Sequence, residues 1–355
     1  LERPRIKLTT EKVDAGADVL LIRPSRKTDV RIEHPDTDER RLLDWLDGTR
    51  SMSQLKAEFG DKQVDEALSE MDAMDLLEDA AHYDRLPHQE LARFDRQLRY
   101  FADVATGPAS APQCQAKLRE AKVAILGLGG LGGWSAWTLA CLGLGELRLI
   151  DSDQVEISNL NRQTLYTIAD VGRSKAECAG ERLGAFDPAT RIDARADRLE
   201  NESEISEFID GVDVVVGAAD WPAHEIEDWC NAACFKLRIP YITMSHFPPI
   251  ARVGPFFVPG KTGCFACHLT ALRRQHPELD LVIDHNRGKP SPAATIGPAC
   301  ALIGAQVGLD ILHLVTGLTT PSTLGAAHIY DLRTMEVQRE PVVRDPECRV
   351  CGQIC

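Results

Sequence analysis

A short apolar run that breaks directly into clustered glycines leaves a chain few ways to fold, and residues 123–163 contain one. Residues 123–126 are apolar and read as a buried parallel strand. Gly127, Gly129, Gly130 and Gly132 follow at once, and residues 134–142 read as a helix. A second apolar strand, 147–150, ends in Asp151. Strand, glycine turn, helix, strand and acid in that order make a nucleotide-binding crossover. The glycines let the backbone approach a phosphate where free N–H groups and the helix dipole favour an anion. The acid is placed to hold a ribose hydroxyl. Taken alone, the glycines would serve NAD, FAD or a plain tight turn equally well.

The residues after Asp151 narrow the choice. Asp151-Ser-Asp153 is followed by Asn159-Leu-Asn-Arg162-Gln163 and then by Lys175 in Gly-Arg-Ser-Lys. Hydride transfer has no need of an arginine and a lysine so placed. Breaking ATP does, because the attacked phosphorus and the departing pyrophosphate both develop negative charge. The set GLGGLGG, DSD, SNLNRQ and the later lysine resembles the adenylation domain of the E1-like family. That family includes the ThiF and MoeB sulfur-carrier activators, the ubiquitin-type activators and the microcin-type peptide adenylating enzymes. The resemblance runs from about residue 90 to the end of the chain. It implies ATP and Mg²⁺ as cofactors. It places Gly127, Gly129, Gly130 and Gly132 at phosphate, Asp151 and the DSD acid Asp153 at the nucleotide, and Asn159 and Arg162 over the triphosphate, with Gln163 supporting. Lys175 falls at the α-phosphate. Asp220, after the apolar stretch 212–216, falls at Mg²⁺. A helix cap is the plainer reading of Asp220. The family usually has Asp-Asn there, and this chain has Asp220-Trp221, which puts the substrate in question more than the use of ATP. Arg96, in Arg-Phe-Asp-Arg96-Gln, is similar to the family's entry-helix arginine. The resemblance implies that it reaches ATP phosphate from the partner subunit of a homodimer.

Cys264-Phe-Ala-Cys267 and Cys348-Arg-Val-Cys351 are two C-x-x-C knuckles far apart in the chain. Each offers two thiolates on a tight turn, and two turns complete a tetrahedron around structural Zn²⁺ with no position left open for catalysis. Redox dithiols are the alternative. Cys114, Cys141, Cys178, Cys230, Cys234 and Cys300 read mostly as buried apolar thiols, with Cys355 spare. Residues 268–298 are polar and read as a mobile crossover loop. Arg273, Arg274, His276, His285 and Arg287 in it are candidates to clamp a peptide or its carboxylate, or are merely solvated. Thioester-forming relatives carry a cysteine in this loop, where this chain has Ala294, so no covalent enzyme thioester is expected. Residues 241–245 read as a strand and His246-Phe-Pro-Pro as a turn. His246 is a candidate general base, with a packed histidine the commoner outcome.

Residues 1–82 read differently. Strand-like pieces at 6–9, 19–22 and 30–33 precede helical patterns at 38–46, 52–59 and 64–74. Ser51 or Ser53 is placed to cap the second helix and Asp61 the third. This is a small winged-helix-like domain. Its arrangement around LLDWLDGTRSMSQLKAEFG resembles the PqqD-like peptide-clamp domain, which implies binding of a leader peptide by strand addition. A generic docking domain and DNA binding are the alternatives. Asp36, Asp38 and Glu39 after the third strand-like piece, and a net charge of −14, speak against nucleic acid. Residues 83–112 read as entry helix and linker, and 113–355 as the adenylation domain.

The expected fold is therefore α/β: a doubly wound, mainly parallel, Rossmann-like sheet with a small N-terminal winged-helix-like domain. No apolar run is expected to cross a membrane and the first residues lack a signal-peptide pattern. Eleven cysteines then suggest a reducing, cytoplasmic setting. Three functions fit. One is adenylation of a carboxylate or amide of a ribosomally made precursor peptide. The second is adenylation of a sulfur-carrier protein. The third is a non-catalytic leader-binding partner of a cyclodehydratase, which would be expected to lose ATP motifs that this chain keeps.

Overall fold

A computed structural model describes residues 1–24, 29–105, 110–286, 289 and 294–352. The chain divides into two compact units, one of residues 1–117 with 316–319 and the other of 118–315 with 320–355.

Unit 1 begins with β1 (Pro4–Ile6), β2 (Glu11–Ala15), β3 (Asp18–Ile22) and β4 (Val30–Ile32). Next come α1 (Thr37–Trp45), α2 (Met52–Phe59), α3 (Asp61–Ala73) and β5 (Leu77–Asp79). Strands β2, β3 and β4 form an antiparallel sheet in that order, and β1 pairs with β5. The strands β2 and β5 escape the sequence reading. Every residue of β2 is exposed and β5 is three residues long, so neither carries an alternating pattern. The three helices fall where expected. Asp36 accepts from the N–H groups of Asp38 and Glu39, and Glu39 accepts in return from Asp36 N–H, so these acids form a capping box. Ser51 caps α2 in the same way. Asp61 does not cap α3. It is the first helical residue, and Gly60 stands at the cap. Leu21, Leu42, Leu55, Val64, Leu68 and Leu76 pack into one core.

Residues 83–112 hold the further helices α4 (His88–Arg93) and α5 (Asp95–Val104), and the start of α6 (Ala111–Glu120). The α5 helix is tied into unit 1 by side chains. Asp103 accepts from Thr9 Oγ1 at 2.6 Å and lies 3.9 Å from the buried Arg23.

Unit 2 follows as β6 (Lys122–Leu126), α7 (Gly130–Leu142), β7 (Glu146–Ile150), α8 (Lys175–Phe186), β8 (Arg191–Arg195), α9 (Glu202–Ile209) and β9 (Val214–Gly217). It continues with α10 (Glu225–Leu237), β10 (Tyr241–Phe247), β11 (Ile250–Phe257), α11 (Phe265–Gln275), α12 (Leu279–Asn286), α13 (Gly297–Thr316), β12 (Ala326–Asp331) and β13 (Glu336–Pro341). One sheet runs β13-β12-β11-β10-β9-β6-β7-β8. The five strands from β10 to β8 are parallel, and β11 to β13 add an antiparallel extension. The chain moves outward from β6 through β7 and β8, then returns to place β9 on the other side of β6. The order therefore reverses between β6 and β9, and a ligand crevice opens at the carboxyl ends of such a pair.

Three expectations need correction here. Residues 268–298 are not simply a loop: α11 continues to Gln275 and α12 covers Leu279–Asn286. Leu269 and Ile283 give these helices an apolar side that the many charges obscure in the sequence. His246 does not lie in a turn but in β10, which extends to Phe247 through pairing with β11. A third correction concerns α13, which is long and apolar enough to cross a membrane by length and composition. In this chain 61% of its apolar window is buried within the protein, the mark of a core helix.

Candidate nucleotide site and cysteine cluster

The glycine turn sits at the reversal of strand order. Gly127 has φ +89° and its N–H donates to Ile150 O at 2.9 Å. A Cβ on Gly132 would lie 1.9 Å from Gly127 O, so the first turn of α7 approaches the loop as only glycine permits. The turn is pinned from two sides. Leu128 N–H donates to Asp151 Oδ2 at 2.6 Å, and the buried Tyr166 hydroxyl donates to Leu128 O at 2.9 Å. Gly129 stands at the N-cap of α7 with no side-chain cap, leaving the first N–H groups of that helix for a ligand.

The flanking residues converge on this turn. Burial holds the Asp151 carboxyl above its ordinary pKa, opposed by the charge of Lys175 and by N–H groups of Leu128 and Asp153. Lys175, 6% exposed, opens α8 and reaches Asp153 Oδ2 at 2.9 Å; Ser174 caps the same helix. Asn159 and Gln163 are buried, and Asn159 Oδ1 accepts from Glu156 N–H at 3.0 Å. Gln163 Oε1 is buried with no partner among the described residues. Arg162 donates to Ser158 O at 2.8 Å, and its Cγ and Cδ lie 3.5 and 3.6 Å from where a Gly130 Cβ would be. On the other side, the backbone of Ala218 and Ala219 lies within 2.9 Å of a Cβ built on Gly127. Asp220 is the next residue and is exposed. The structure thus brings together Gly127, Gly129, Gly130, Gly132, Asp151, Asp153, Asn159, Arg162, Gln163, Lys175 and the approach to Asp220. Arg96 belongs to α5 of unit 1, and 91% of its side chain is exposed.

The four cysteines of the two knuckles meet. Cys264, Cys267, Cys348 and Cys351 place their sulfurs within 4.8 Å of one another. Sulfur separations are 3.5 Å for Cys264–Cys348, 3.3 Å for Cys267–Cys351 and 3.9 Å for Cys264–Cys267. Four sulfurs about 2.3 Å from a tetrahedral Zn²⁺ would stand about 3.8 Å apart, so this donor set fits that ion. Burial would raise the Cys348 thiol, but N–H groups of Cys351 and Val350 together with hydrogen bonds from Cys264 and Cys267 outweigh it and lower the group to about 7. The cluster belongs to the core of unit 2, beside Tyr241 and Phe257.

Of the remaining cysteines, Cys114, Cys178, Cys230, Cys234 and Cys300 are buried, whereas Cys141 is exposed, against expectation. Cys355 and Arg287 lie outside the described residues. Arg273 pairs with Asp280 at 2.8 Å, and His285 lies 3.3 Å from Lys289 Nζ. In unit 1, Arg40 donates to Asp14 and to the carbonyls of Gly16 and Ala17, and Arg41 pairs with Asp38 and Glu58, so neither offers a free basic face. The sequence reading missed Tyr166, which no motif marks. Cys300 is packed as expected, and its sulfur lies 2.7 Å from where a Gly130 Cβ would be.

The sequence model of the ThiF family matches residues 94–350. The molybdopterin-synthase adenylyltransferase of Escherichia coli K12 is 28% identical over 268 residues, which are 76% of this chain and 99% of that protein. The sulfur carrier protein ThiS adenylyltransferase of the same organism is 32% identical over 238 residues, 67% of this chain and 88% of that protein. Among solved structures, E. coli MccB with AMPCPP and the MccA peptide superposes with a TM-score of 0.76 at 24% identity, covering 98% of this chain and 99% of that one. PaaA superposes with a TM-score of 0.74 at 23% identity, covering 95% and 99%.

Proposed function

The chain belongs to the ThiF family and is an E1-like adenylyltransferase, and from that premise we propose that it adenylates a carboxylate or amide of a ribosomally made precursor peptide. Unit 1, as a PqqD-like peptide clamp, holds that peptide. The observation that carries this reading is the presence of unit 1. The molybdopterin-synthase enzyme aligns along 99% of its length yet accounts for 76% of this chain. The likeness to MccB, by contrast, runs through 98% of it. MccB is a microcin C7 biosynthetic enzyme, solved in complex with N-formylated MccA.

In the proposed reaction a substrate oxygen attacks the α-phosphorus of ATP, the bond to the bridging oxygen breaks, and pyrophosphate leaves. The N–H groups at the start of α7 hold phosphate, and Asp151 holds the ribose. Arg162 and Lys175 offset the charge that builds on the transferring and leaving phosphates. Lys175 is released from Asp153 to do so. Mg²⁺, held by Asp220 and phosphate oxygens, would neutralise further charge. Arg96 contributes from the partner subunit of a homodimer. Zn²⁺ in the four-cysteine cluster is structural. No enzyme thioester forms, so AMP stays on the peptide or is displaced as the activated group closes a ring.

Short peptides encoded beside the gene, incubated with the protein, Mg²⁺ and ATP and read by mass spectrometry, test this directly. A gain of one AMP, or loss of water with release of AMP, is the expected result. The second reading, activation of a sulfur-carrier protein, is favoured by the names of the 28–32% identical relatives. Adenylation of a neighbouring ubiquitin-like protein, with the peptides unchanged, would establish it and overturn the first.

A further inference from the structure

His246 is linked by two hydrogen bonds to Cys300, whose sulfur lies against the glycine turn. Strand β10 pairs with β9 as far as Thr243 opposite Gly217, then runs on past the carboxyl end of the parallel strands. Met244 and His246 share one face of it. Met244 Sδ lies 3.8 Å from Ser135 Oγ of α7, so this is the face covered by the helix that follows the glycines. His246 Nδ1 lies 2.8 Å from Thr295 Oγ1, and Thr295 Oγ1 lies 3.3 Å from Cys300 Sγ. Cys300 Sγ in turn stands 2.7 Å from where a Gly130 Cβ would be, beside Arg162.

Burial raises the Cys300 pKa and keeps it a thiol, a weak donor and a weak acceptor. The Thr295 hydroxyl has a single proton, and an imidazole nitrogen accepts it better than sulfur does. Of the two proton arrangements that make both hydrogen bonds, one runs from Cys300 S–H to Thr295 Oγ1 and from Thr295 O–H to His246 Nδ1. The ring proton then sits on Nε2. Burial lowers the His246 pKa, so the ring is neutral. Nε2 is itself buried and has no partner among the described residues. A buried N–H without an acceptor is costly, so in this arrangement a ligand oxygen at Nε2 would be stabilising.

We propose that His246 presents Nε2–H to an oxygen of the carboxyl group being activated, with Thr295 and Cys300 as positioning residues that fix its tautomer. A neutral, pre-oriented donor of this kind stabilises negative oxygen without binding the ground state as an ion pair would. The inference rests on the reading of this chain as a carboxylate-activating enzyme. It applies whether the carboxylate belongs to a peptide or to a carrier protein.

The test is ATP–pyrophosphate exchange by wild type, H246A, H246Q, T295V and T295S. Calorimetric binding of a non-hydrolysable ATP analogue and a thermal melt accompany each variant. The carboxylate substrate is the neighbour-encoded peptide, or the neighbouring ubiquitin-like protein if no peptide supports exchange. H246A is expected to lose about 10²-fold in kcat/KM for that substrate, with analogue affinity within about twofold. H246Q, whose amide N–H₂ falls near Nε2, recovers part of the loss. T295V loses about tenfold, and T295S restores what T295V loses. In ¹⁵N-histidine spectra the His246 signal, identified by its absence in H246Q, reports the Nε2–H tautomer. Unchanged exchange in H246A and H246Q, an equal loss of analogue affinity, or an Nδ1–H tautomer would each overturn the inference. Loss in H246A with the carrier protein alone would support it while the peptide reading fails. Activity with peptide and an unaffected H246A would do the reverse.

Discussion

In unit 1 the strand β2 exposes all five of its residues and pairs, among the described residues, with β3 alone. In unit 2 the central strands β6 and β9 are paired on both sides and are almost wholly buried. A strand paired on both sides uses its N–H and C=O groups inside the sheet, so chemistry appears only at its ends, in the loops. A strand with an open edge keeps those groups available along its length and can recognise another chain by main-chain pairing. Under the proposed function the two units take two tasks, catalysis at loop ends and recognition along an edge, and each task has its own point of failure.

The largest expected effect lies at the loop ends. Lys175→Ala or Arg162→Ala should each lower kcat for substrate-dependent ATP–pyrophosphate exchange by about 10²–10³-fold, while substitutions in β2 leave kcat intact. Exchange that survives both would break the division of labour at once. Next comes the metal. Elemental analysis should find one Zn²⁺ per chain, and Cys348→Ser should remove it and cost roughly 3 kcal/mol, or about 10 °C in melting temperature. A metal-free wild type of undiminished stability would mean that core packing alone closes unit 2.

A smaller effect is sensitive to pH. Burial, with Asp228 adding, raises the Glu227 carboxyl in the first turn of α10 from its ordinary 4.5 to about 7. The folded state therefore binds the proton more tightly than the unfolded chain does. The stability this contributes is fully present below about pH 4.5 and is lost as pH rises through 7. Glu227→Gln should match wild type near pH 4.5 and exceed it by about 2 kcal/mol at pH 8 in chemical denaturation. Equal curves at both pH values would show the carboxylate to be solvated when folded. The smallest effect sharpens the edge of unit 1. Val13 and Asp14 direct their N–H groups to opposite sides of β2. Proline at the outward-facing one should raise KM for peptide about fivefold, the worth of one hydrogen bond, with kcat and KM for ATP unchanged. No change at either position would move recognition to the other open edge, β4.

Much of unit 2 was legible in the residues because its motif is local. The glycines, Asp151, the DSD acid, the Asn159–Gln163 segment and Lys175 lie within about fifty residues, and each has a geometric duty that few other residue types perform. The cysteine cluster was legible for a related reason: paired C-x-x-C turns carry their own geometry, however far apart they stand. What escaped had no local signature. Strand β2 shows no alternation because both of its faces meet water. The helices α11 and α12 are masked by charges on their solvent sides. His246, Thr295 and Cys300 obey no spacing rule, since β10 and the start of α13 become neighbours only when the sheet is complete.

The amino-acid sequence by itself determined the crossover, the pairing of the two cysteine knuckles and the two-part organisation, because glycine freedom, thiolate chemistry and helix caps act within a few residues. Only the tertiary structure decided that the order of strands reverses beside the glycine turn, and that a histidine at a strand end is joined through a threonine to a thiol lying on that turn. These depend on which strand settles beside which. That choice is made by burial of the whole sheet and is written in no single segment.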